Sequence, residues 1–466
     1  MGQVSRRDLL KMMGLSTGSA VLYGCSIISR DTESDISSSP QDGQVQKPNI
    51  VIVLCDDLGY GDLGCYGHPH IKTPELDKLT AEGMKLTDCY AAAPVCSPSR
   101  AGMLTGRTPH RCGIYDWIPA NSPMHLKKTE QTIATLLRDN GYATCHSGKW
   151  HCNGKFNSPE QPQPDDHGFE HWFSTQNNAG PSHHNPKNFV RNGERVGPLE
   201  GYSSELIVTE AIDWLGTKWD RAKPFCLFVW FHAPHEPIAT APEFMKMYEG
   251  KKEAIYYGNV TQMDHEFGRL MKMLDEMKLR DQTFVIFTSD NGPETLDRYR
   301  GANRSFGSPG PLRGMKLHMY EGGIRVPGII RWPGNTKPGS VSHEPINGTD
   351  ILPSLCEMAG VEVPKDRPID GTSFLPILQG IKLKRKIPLY WRYDRALSKP
   401  FTVAMRQGDW KILADNDMTK FELYNLRKDI AEQHNLATKH PHHLEAMKKA
   451  LVKLNAEIDA EGPVWD

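Results

Sequence analysis

Cys96 opens the run Cys96-Ser97-Pro98-Ser99-Arg100. Groups able to bind cations, carry protons or contact anions recur at Asp56-Asp57, Lys149, His151, His235, Asp290-Asn291 and Lys316. Each alone has an ordinary reading. Asp-Asp after a strand commonly makes a turn or caps a helix, Asp290-Asn291-Gly292 is a turn signal, and a single lysine or histidine is usually a solvated surface group. Their placement sets them apart. Four apolar runs end at Asp56-Asp57, Gly148-Lys149-Trp150-His151, His235 and Ser289-Asp290-Asn291, so the groups converge if those runs are neighbouring strands.

The runs read as such strands. Pro48 to Cys55 is a run rich in β-branched residues and apolar from Ile50 onward, the mark of a strand buried on both faces of a parallel sheet. Tyr142 to Ser147 and Thr283 to Thr288 read as further strands, and Phe225 to Phe231 as another buried one. Helices are expected between them: Thr73 to Glu82 with Thr73 as N-cap and Pro74 at the first helical position, Thr132 to Asp139 stopped by Asn140-Gly141, and a long amphipathic segment from Tyr256 to Leu279. Strands alternating with helices give an α/β fold, a large and mostly parallel sheet flanked by helices, whose sites lie at the carboxyl ends of the strands. From about Ile346 the character changes. A helix begins near Asn347-Gly348-Thr349-Asp350, and short strands at Ile387 to Tyr393, Thr402 to Arg406 and Lys411 to Leu413 precede a terminal helix, His442 to Asp459. These predict a smaller C-terminal antiparallel sheet with a helix, its Tyr390 to Tyr393 forming one wall of the cleft.

Composition narrows the classes. The 466 residues carry 55 Lys and Arg against 56 Asp and Glu, which excludes a general nucleic-acid or polyanion binder. No uncharged apolar run approaches the roughly 18 residues needed to span a bilayer. The 10 cysteines include no Cys-x-x-Cys pair, so zinc ribbons and thioredoxin-like chemistry are not indicated, while disulfides remain open in an exported chain.

Cys96-Ser97-Pro98-Ser99-Arg100 followed by Leu104-Thr105-Gly106-Arg107 resembles the signature of type I sulfatases, in which a maturation enzyme oxidises the cysteine to formylglycine. The resemblance extends to Asp56-Asp57-Leu58-Gly59-Tyr60-Gly61-Asp62, Gly148-Lys149-Trp150-His151, Pro234-His235-Glu236-Pro237, Ser289-Asp290-Asn291-Gly292, and Lys316 before Tyr320-Glu321-Gly322-Gly323. Gly408-Asp409-Trp410-Lys411, Glu422 to Leu426 and Glu432 to Leu436 are similar to the family's smaller domain. The resemblance implies an alkaline-phosphatase-like fold and hydrolysis of sulfate monoesters. Asp56, Asp57, Asp290, Asn291 and the hydrated residue 96 would hold a hard cation, and their oxygens suit calcium, with magnesium the close alternative. Arg100, one turn on, would hold the hydrated aldehyde, and Lys149 and Lys316 would contact sulfate oxygens. Asp290 would accept the nucleophile's proton, His235 would protonate the departing sugar oxygen, and His151 would take the proton from the second hydroxyl so that sulfate leaves by elimination.

Within the family, Gly61 to Gly67 and the Gly148 to His151 loop look most like the group that includes N-acetylgalactosamine-6-sulfatase and glycan arylsulfatases, implying a sulfated saccharide substrate. Trp117, Trp172, His183, His184 and Trp391 either line a sugar subsite or anchor core and loops. A phosphate or phosphonate monoester hydrolase on the same architecture, and a lipoprotein that binds sulfated glycan without cleaving it, are the competing readings.

Ser5-Arg6-Arg7-Asp8-Leu9-Leu10-Lys11 before the apolar Met12 to Tyr23 resembles a bacterial twin-arginine export signal, and Leu22-Tyr23-Gly24-Cys25 resembles a lipoprotein processing box. Ser26 to Gln46 reads as a flexible tether. The expected organisation is a signal at 1–25, a tether at 26–46, a catalytic domain at 47–380 and a C-terminal subdomain at 381–466. It places the protein in the periplasm or at the cell surface, its membrane contact being a lipid anchor only. The twin-arginine machinery carries folded protein, so residue 96 must be converted in the cytoplasm by an oxygen-independent formylglycine-generating enzyme.

Overall fold

Strand β1 (Asn49–Asp56) is buried along its whole length, and its side chains alternate between two cores. Ile50, Ile52 and Leu54 face one, Val51, Val53 and Cys55 the other. A strand apolar on both faces can only sit inside a sheet covered on both sides. The computed structural model, which describes residues 47–465, places it there. β2 (Ala143–Lys149), β3 (His171–Thr175), β4 (Phe225–Pro234) and β5 (Thr283–Ser289) complete a parallel centre in the order β5-β1-β4-β2-β3. Strands at Gly328–Arg331 and Met84–Leu86 extend one edge antiparallel, Ser340–Ser342 closes that edge parallel, and Phe189–Arg191 with Glu194–Val196 extends the other.

Helix α1 (Pro74–Glu82) has Pro74 in its first turn as expected, but Thr73 does not cap it. The Thr73 hydroxyl accepts from the Gly64 backbone N–H at 2.9 Å and donates to Asp77 at 3.1 Å, because the preceding turn competes for the same oxygen. Thr132 does cap the helix Ile133–Arg138, accepting from Thr135 N at 3.1 Å. Helix α2 (Cys96–Thr105) and the helix Ile351–Ala359 lie on the Ile50 face, while α3 (Ala254–Glu276) and the helix Ser203–Asp213 lie on the other. Among the described residues nine cysteines are free, so none of them forms a disulfide. No described helix is long and apolar enough to cross a membrane.

The C-terminal strands β6 (Leu389–Arg392), β7 (Phe401–Gln407), β8 (Trp410–Asp415) and β9 (Phe421–Asn425) form an antiparallel sheet. The sequence pattern shows only three of these strands, because Glu422 and its short length hide the alternation of β9. One face carries Trp391, Ala404, Leu413 and Tyr424, packed with Tyr90, Val95, Cys96 and Leu317; the other is covered by α4 (Pro441–Asp459) through Met447, Leu451 and Ile458. The sheet therefore backs the segment that carries Cys96. Strand alternation corrects the expected wall of Tyr390 to Tyr393. Tyr390 turns toward α4 and bonds Asn455 at 2.7 Å, Trp391 is buried with Nε1 on the Ala91 carbonyl at 2.8 Å, and only Tyr393 reaches the cleft described below.

A buried ion cluster also joins the sheet to the main body. Lys411 Nζ lies 2.9 Å from both Glu321 and Glu432, and Glu321 also pairs with Arg325 at 3.1 Å. Burial pushes the Glu432 carboxyl up to about 7 against the pull of Lys411. Burial works the same way at Glu321, but Lys411 and Arg325 outweigh it and bring that carboxyl down to about 2. Removing one partner of such a set leaves an uncompensated buried charge. Lys411→Met is expected to destabilise the protein by about 3–5 kcal/mol in denaturant unfolding. Part of that loss should return as pH falls, when the two carboxyls can share a proton.

Candidate active site

The strand ends bring the expected groups together. Asp57 N donates to Asp290 Oδ1 at 3.2 Å, and Asn291 Nδ2 donates to Asp57 Oδ1 at 2.7 Å, so the ends of β1 and β5 are stitched side by side. Lys149 from the end of β2 pairs with Asp56 Oδ2 at 2.5 Å, and Lys316 with Asp57 at 2.6 Å. His235, just past β4, places Nε2 3.6 Å from Asp57 Oδ2. All are buried or nearly so. The backbone is tuned to permit this. Asp57, His151 and Leu317 hold positive φ of 66°, 54° and 68°, conformations that cost energy and cluster where function over-determines them. Gly148, at φ 121°, lets β2 approach β4 where a Cβ would stand 1.8 Å from the Trp230 carbonyl oxygen; at Gly292 one would stand 1.9 Å from that of Gly322.

Cys96 begins α2 after the extended Val95, with no side chain capping the helix. Burial pushes its thiol up to about 11 although Lys149 and Lys316 pull the other way, so the unmodified side chain is a protonated and weak nucleophile. Ser97 Oγ accepts from Ile118 N at 3.0 Å, and the Ile118 carbonyl accepts from His151 Nε2 at 3.1 Å. That bond puts the ring proton on Nε2. His151 Nδ1 is then a bare acceptor, buried and without a partner, on a side chain that lines the cleft with Cys96. Burial, then the Lys149 and Arg100 charges, hold His151 well below the usual histidine range, hence neutral. His235 Nδ1 is bound to the Glu236 carbonyl, which leaves Nε2 facing the Asp57 side. Burial brings His235 down to about 3 while Asp56 pulls it upward.

Two expected positions are arranged differently. Arg100 spends its fork on Asp290 Oδ2, from Nε at 3.0 Å and Nη2 at 2.8 Å, and on the Lys149 carbonyl at 2.7 Å; none of these bonds goes to residue 96. A fully buried guanidinium must satisfy its donors, and Asp290 is the nearest carboxylate to do so. Asp290 is thereby held on both oxygens, and burial followed by the Asp56 charge raises it to about 7. Among the described residues Asp56, Asp57 and His235 each offer one atom within 4.8 Å of the other two.

A cation fits this set. Asp56 Oδ1 and Asn291 Oδ1 are buried with no hydrogen-bond partner, two oxygens of the kind that hard divalent ions take. Asp56 itself is pushed up by burial, but Lys149, His235 and Arg100 outweigh that and keep it well below the usual carboxylate range, ready as an anionic donor.

A cleft of about 510 Å³ opens above Cys96, lined also by His151, His235 and Lys316. Sequence reasoning missed several of its walls: Asn177, Glu294, Arg298, Tyr299, Arg395 and Leu397. Glu294 carried the best signal, two residues beyond the Asn291-Gly292 turn. It binds Arg298 Nε at 2.6 Å and stands 3.8 Å from Lys316. Of the proposed sugar contacts, Trp117 lines the cleft. Trp172 and Trp391 are core, His183 is buried against His232 with ring centroids 5.2 Å apart, and His184 stacks on Tyr202 at 4.4 Å.

Residues 48–361 match the family model described as Sulfatase, and residues 315–458 match the one described as N-sulphoglucosamine sulphohydrolase, C-terminal. The chain belongs to the sulfatase family. It is a sulfuric ester hydrolase of the alkaline phosphatase superfamily, a family that uses formylglycine and a divalent cation. N-acetylgalactosamine-6-sulfatase of Rattus norvegicus is 36% identical over 373 residues, 75% of this sulfatase and 69% of the relative. Arylsulfatase A of Homo sapiens is 34% identical over 466 residues, 89% and 88% of the two chains. The crystal structure of Ps i-CgsB in complex with k-i-k-neocarrahexaose superposes at a TM-score of 0.79 with 28% identity, covering 90% of this sulfatase and 94% of that chain.

Proposed function

We propose that this sulfatase removes sulfate from sulfated carbohydrate, with formylglycine at position 96 and calcium held by Asp56, Asp57 and Asn291, Asp290 bracing them. Support comes from the sugar in the name N-acetylgalactosamine-6-sulfatase, from the neocarrahexaose bound to Ps i-CgsB, and from a cleft wide enough for a sugar. The observation that carries the reading is the set of buried, unpartnered atoms Asp56 Oδ1, Asn291 Oδ1 and His151 Nδ1, with His151 lining the same cleft as Cys96.

Formylglycine would supply, as its hydrate, a nucleophilic oxygen and a second hydroxyl through which sulfate can be released by elimination; a plain cysteine or serine lacks that second hydroxyl. The cation supplies fixed positive charge toward the sulfate oxygens. Lys149 and Lys316 add two more charges, each worth roughly 4 kcal/mol at about 4 Å and an effective dielectric of about 20. Asp290, raised to about 7 by burial and the Asp56 charge, would take the attacking hydroxyl's proton, and His151 Nδ1 would take that of the second hydroxyl because its other nitrogen is tied to Ile118. His235 hands a proton to the departing sugar oxygen through Nε2, the incoming sulfate anion helping it hold that proton. Arg100 acts by fixing Asp290 and the end of β2.

Residues 1–46 lie outside the described residues, so the twin-arginine signal, the Cys25 anchor and the tether stay part of this proposal, as do the periplasmic or surface location and the cytoplasmic maturation enzyme. Their support is the motif spacing alone.

A panel of defined sulfated mono- and oligosaccharides, each paired with the corresponding phosphate ester, tests the activity through free anion release. Sulfate release well ahead of phosphate is expected; faster phosphate release would overturn the reading in favour of a phosphate or phosphonate monoester hydrolase. Binding with no release from the matured protein would favour a glycan-binding protein.

A further inference from the structure

Asp116 is a carboxylate the reaction does not use, yet it organises the mouth of the cleft. Its Oδ1 accepts the backbone N–H of Trp117 at 2.8 Å and the Tyr393 hydroxyl at 2.9 Å, and its Oδ2 takes Arg395 Nη1 at 2.9 Å. Three cleft residues from two distant parts of the chain are thus set by one side chain, itself 16% exposed.

Arg395 is 75% exposed although it lines the cleft. An ion pair that exposed contributes little to stability, so holding the fold does not explain it. Among the described residues its Nε and Nη2 bind no protein acceptor. The other guanidinium of the cleft differs, since Arg298 has both Nε and Nη2 committed to Glu294, at 2.6 and 2.7 Å. Lys316 is committed to Asp57 and the reacting sulfate. Among the described residues Arg298 keeps only Nη1 without a protein acceptor, whereas Arg395, held through Nη1 alone, keeps both Nε and Nη2.

Beside it the cleft exposes aromatic surface. Trp117 is 43% and Tyr299 38% exposed, flat faces of the kind on which the C–H side of a pyranose packs, and large exposed aromatics gathered in one place mark a binding surface. Apolar faces with one free guanidinium suit a sugar ring that bears an acid, because guanidinium forks match planar or tetrahedral oxyanions.

We propose that the substrate carries a second anionic group besides the scissile sulfate, a carboxylate or another sulfate on the same or the neighbouring ring, and that Arg395, aimed by Asp116, binds it while Trp117 supports the ring. This rests on the carbohydrate sulfatase reading and adds the substrate's charge pattern to it.

The test uses the matured enzyme and three disaccharides with the same scissile sulfate: one otherwise neutral, one with a uronic acid, one with a second sulfate. At least one acidic substrate should exceed the neutral one in kcat/KM by about tenfold or more, mostly through KM, the size of one charge-assisted contact. Which acidic substrate gains identifies carboxylate or sulfate as the partner. In Arg395→Ala the ratio of acidic to neutral kcat/KM should fall toward one, and Arg395→Lys should keep part of it, a graded result that misfolding would not give. Equal rates on all three substrates, or an undiminished ratio in Arg395→Ala, would overturn the inference with the sulfatase activity intact. Absence of sulfate release from all three would instead strike the underlying reading.

Discussion

Cys96→Ala is expected to lower sulfate release by at least about 10⁴-fold, on the scale of losing a catalytic nucleophile, and supplying the maturation enzyme should not restore it. The size of the loss follows from the site. Alanine keeps the Asp56, Asp57 and Asn291 oxygens, both lysines and both histidines, so substrate should still bind and KM should change little. What vanishes is the oxygen pair that attacks sulfur and later allows release. Unmodified Cys96 would serve poorly too, since burial raises its thiol to about 11 and only one heteroatom is available. Free-sulfate assays on variant and parent, both co-expressed with the maturation enzyme, check this; substantial residual activity in the variant contradicts the scheme.

Asp56→Asn is the second large effect, expected to reduce turnover on the order of 10³-fold, since a bound cation stabilises the transition state by several kcal/mol. Asp56 anchors two cations of the protein, Lys149 at 2.5 Å and Arg100 at 3.8 Å, besides offering its free Oδ1 to the metal. Chelation of the parent enzyme should mimic the variant, and calcium should restore the parent alone. Chelation should not unfold the protein. Asp56, Asp57 and Asp290 are matched by Lys149, Lys316 and Arg100, so the set is charge-balanced without the ion. Parallel sulfate assays and thermal melts check both halves; activity indifferent to chelation would refute the metal's role.

How much of this was legible depended on whether a residue's environment follows from local pattern. β1 declares itself because eight consecutive buried residues leave no polar face, and chemistry at its end then falls on the sheet's carboxyl edge. The same logic placed Lys149, His235 and Asp290 correctly. The aromatic residues did not yield. Trp391 and Tyr393 are two positions apart and both belong to the core beside Cys96, yet only Tyr393 also lines the cleft, a difference no local pattern shows. Trp172 and Trp117 look alike in sequence and are 2% and 43% exposed. The bonds Arg100 makes to Asp290 and Lys149 were hidden for a related reason. Spacing along α2 places it near residue 96, but the tertiary arrangement of β5 sets Asp290 against its fork. Asp116 and Arg395 carry no motif at all, and their relation exists only once the C-terminal sheet packs beside the Trp117 loop.

The central claim, that one cation sits between the β1 and β5 ends beside an oxidised residue 96, is tested most directly by a crystal structure of the protein co-expressed with the maturation enzyme and grown in calcium. The account predicts a single ion bonded to Asp56 Oδ1 and Asn291 Oδ1, with an oxygen rather than a sulfur on the side chain of residue 96 turned toward it. An active preparation showing an intact Cys96 thiol, or no ion within bonding reach of those two oxygens, would contradict it.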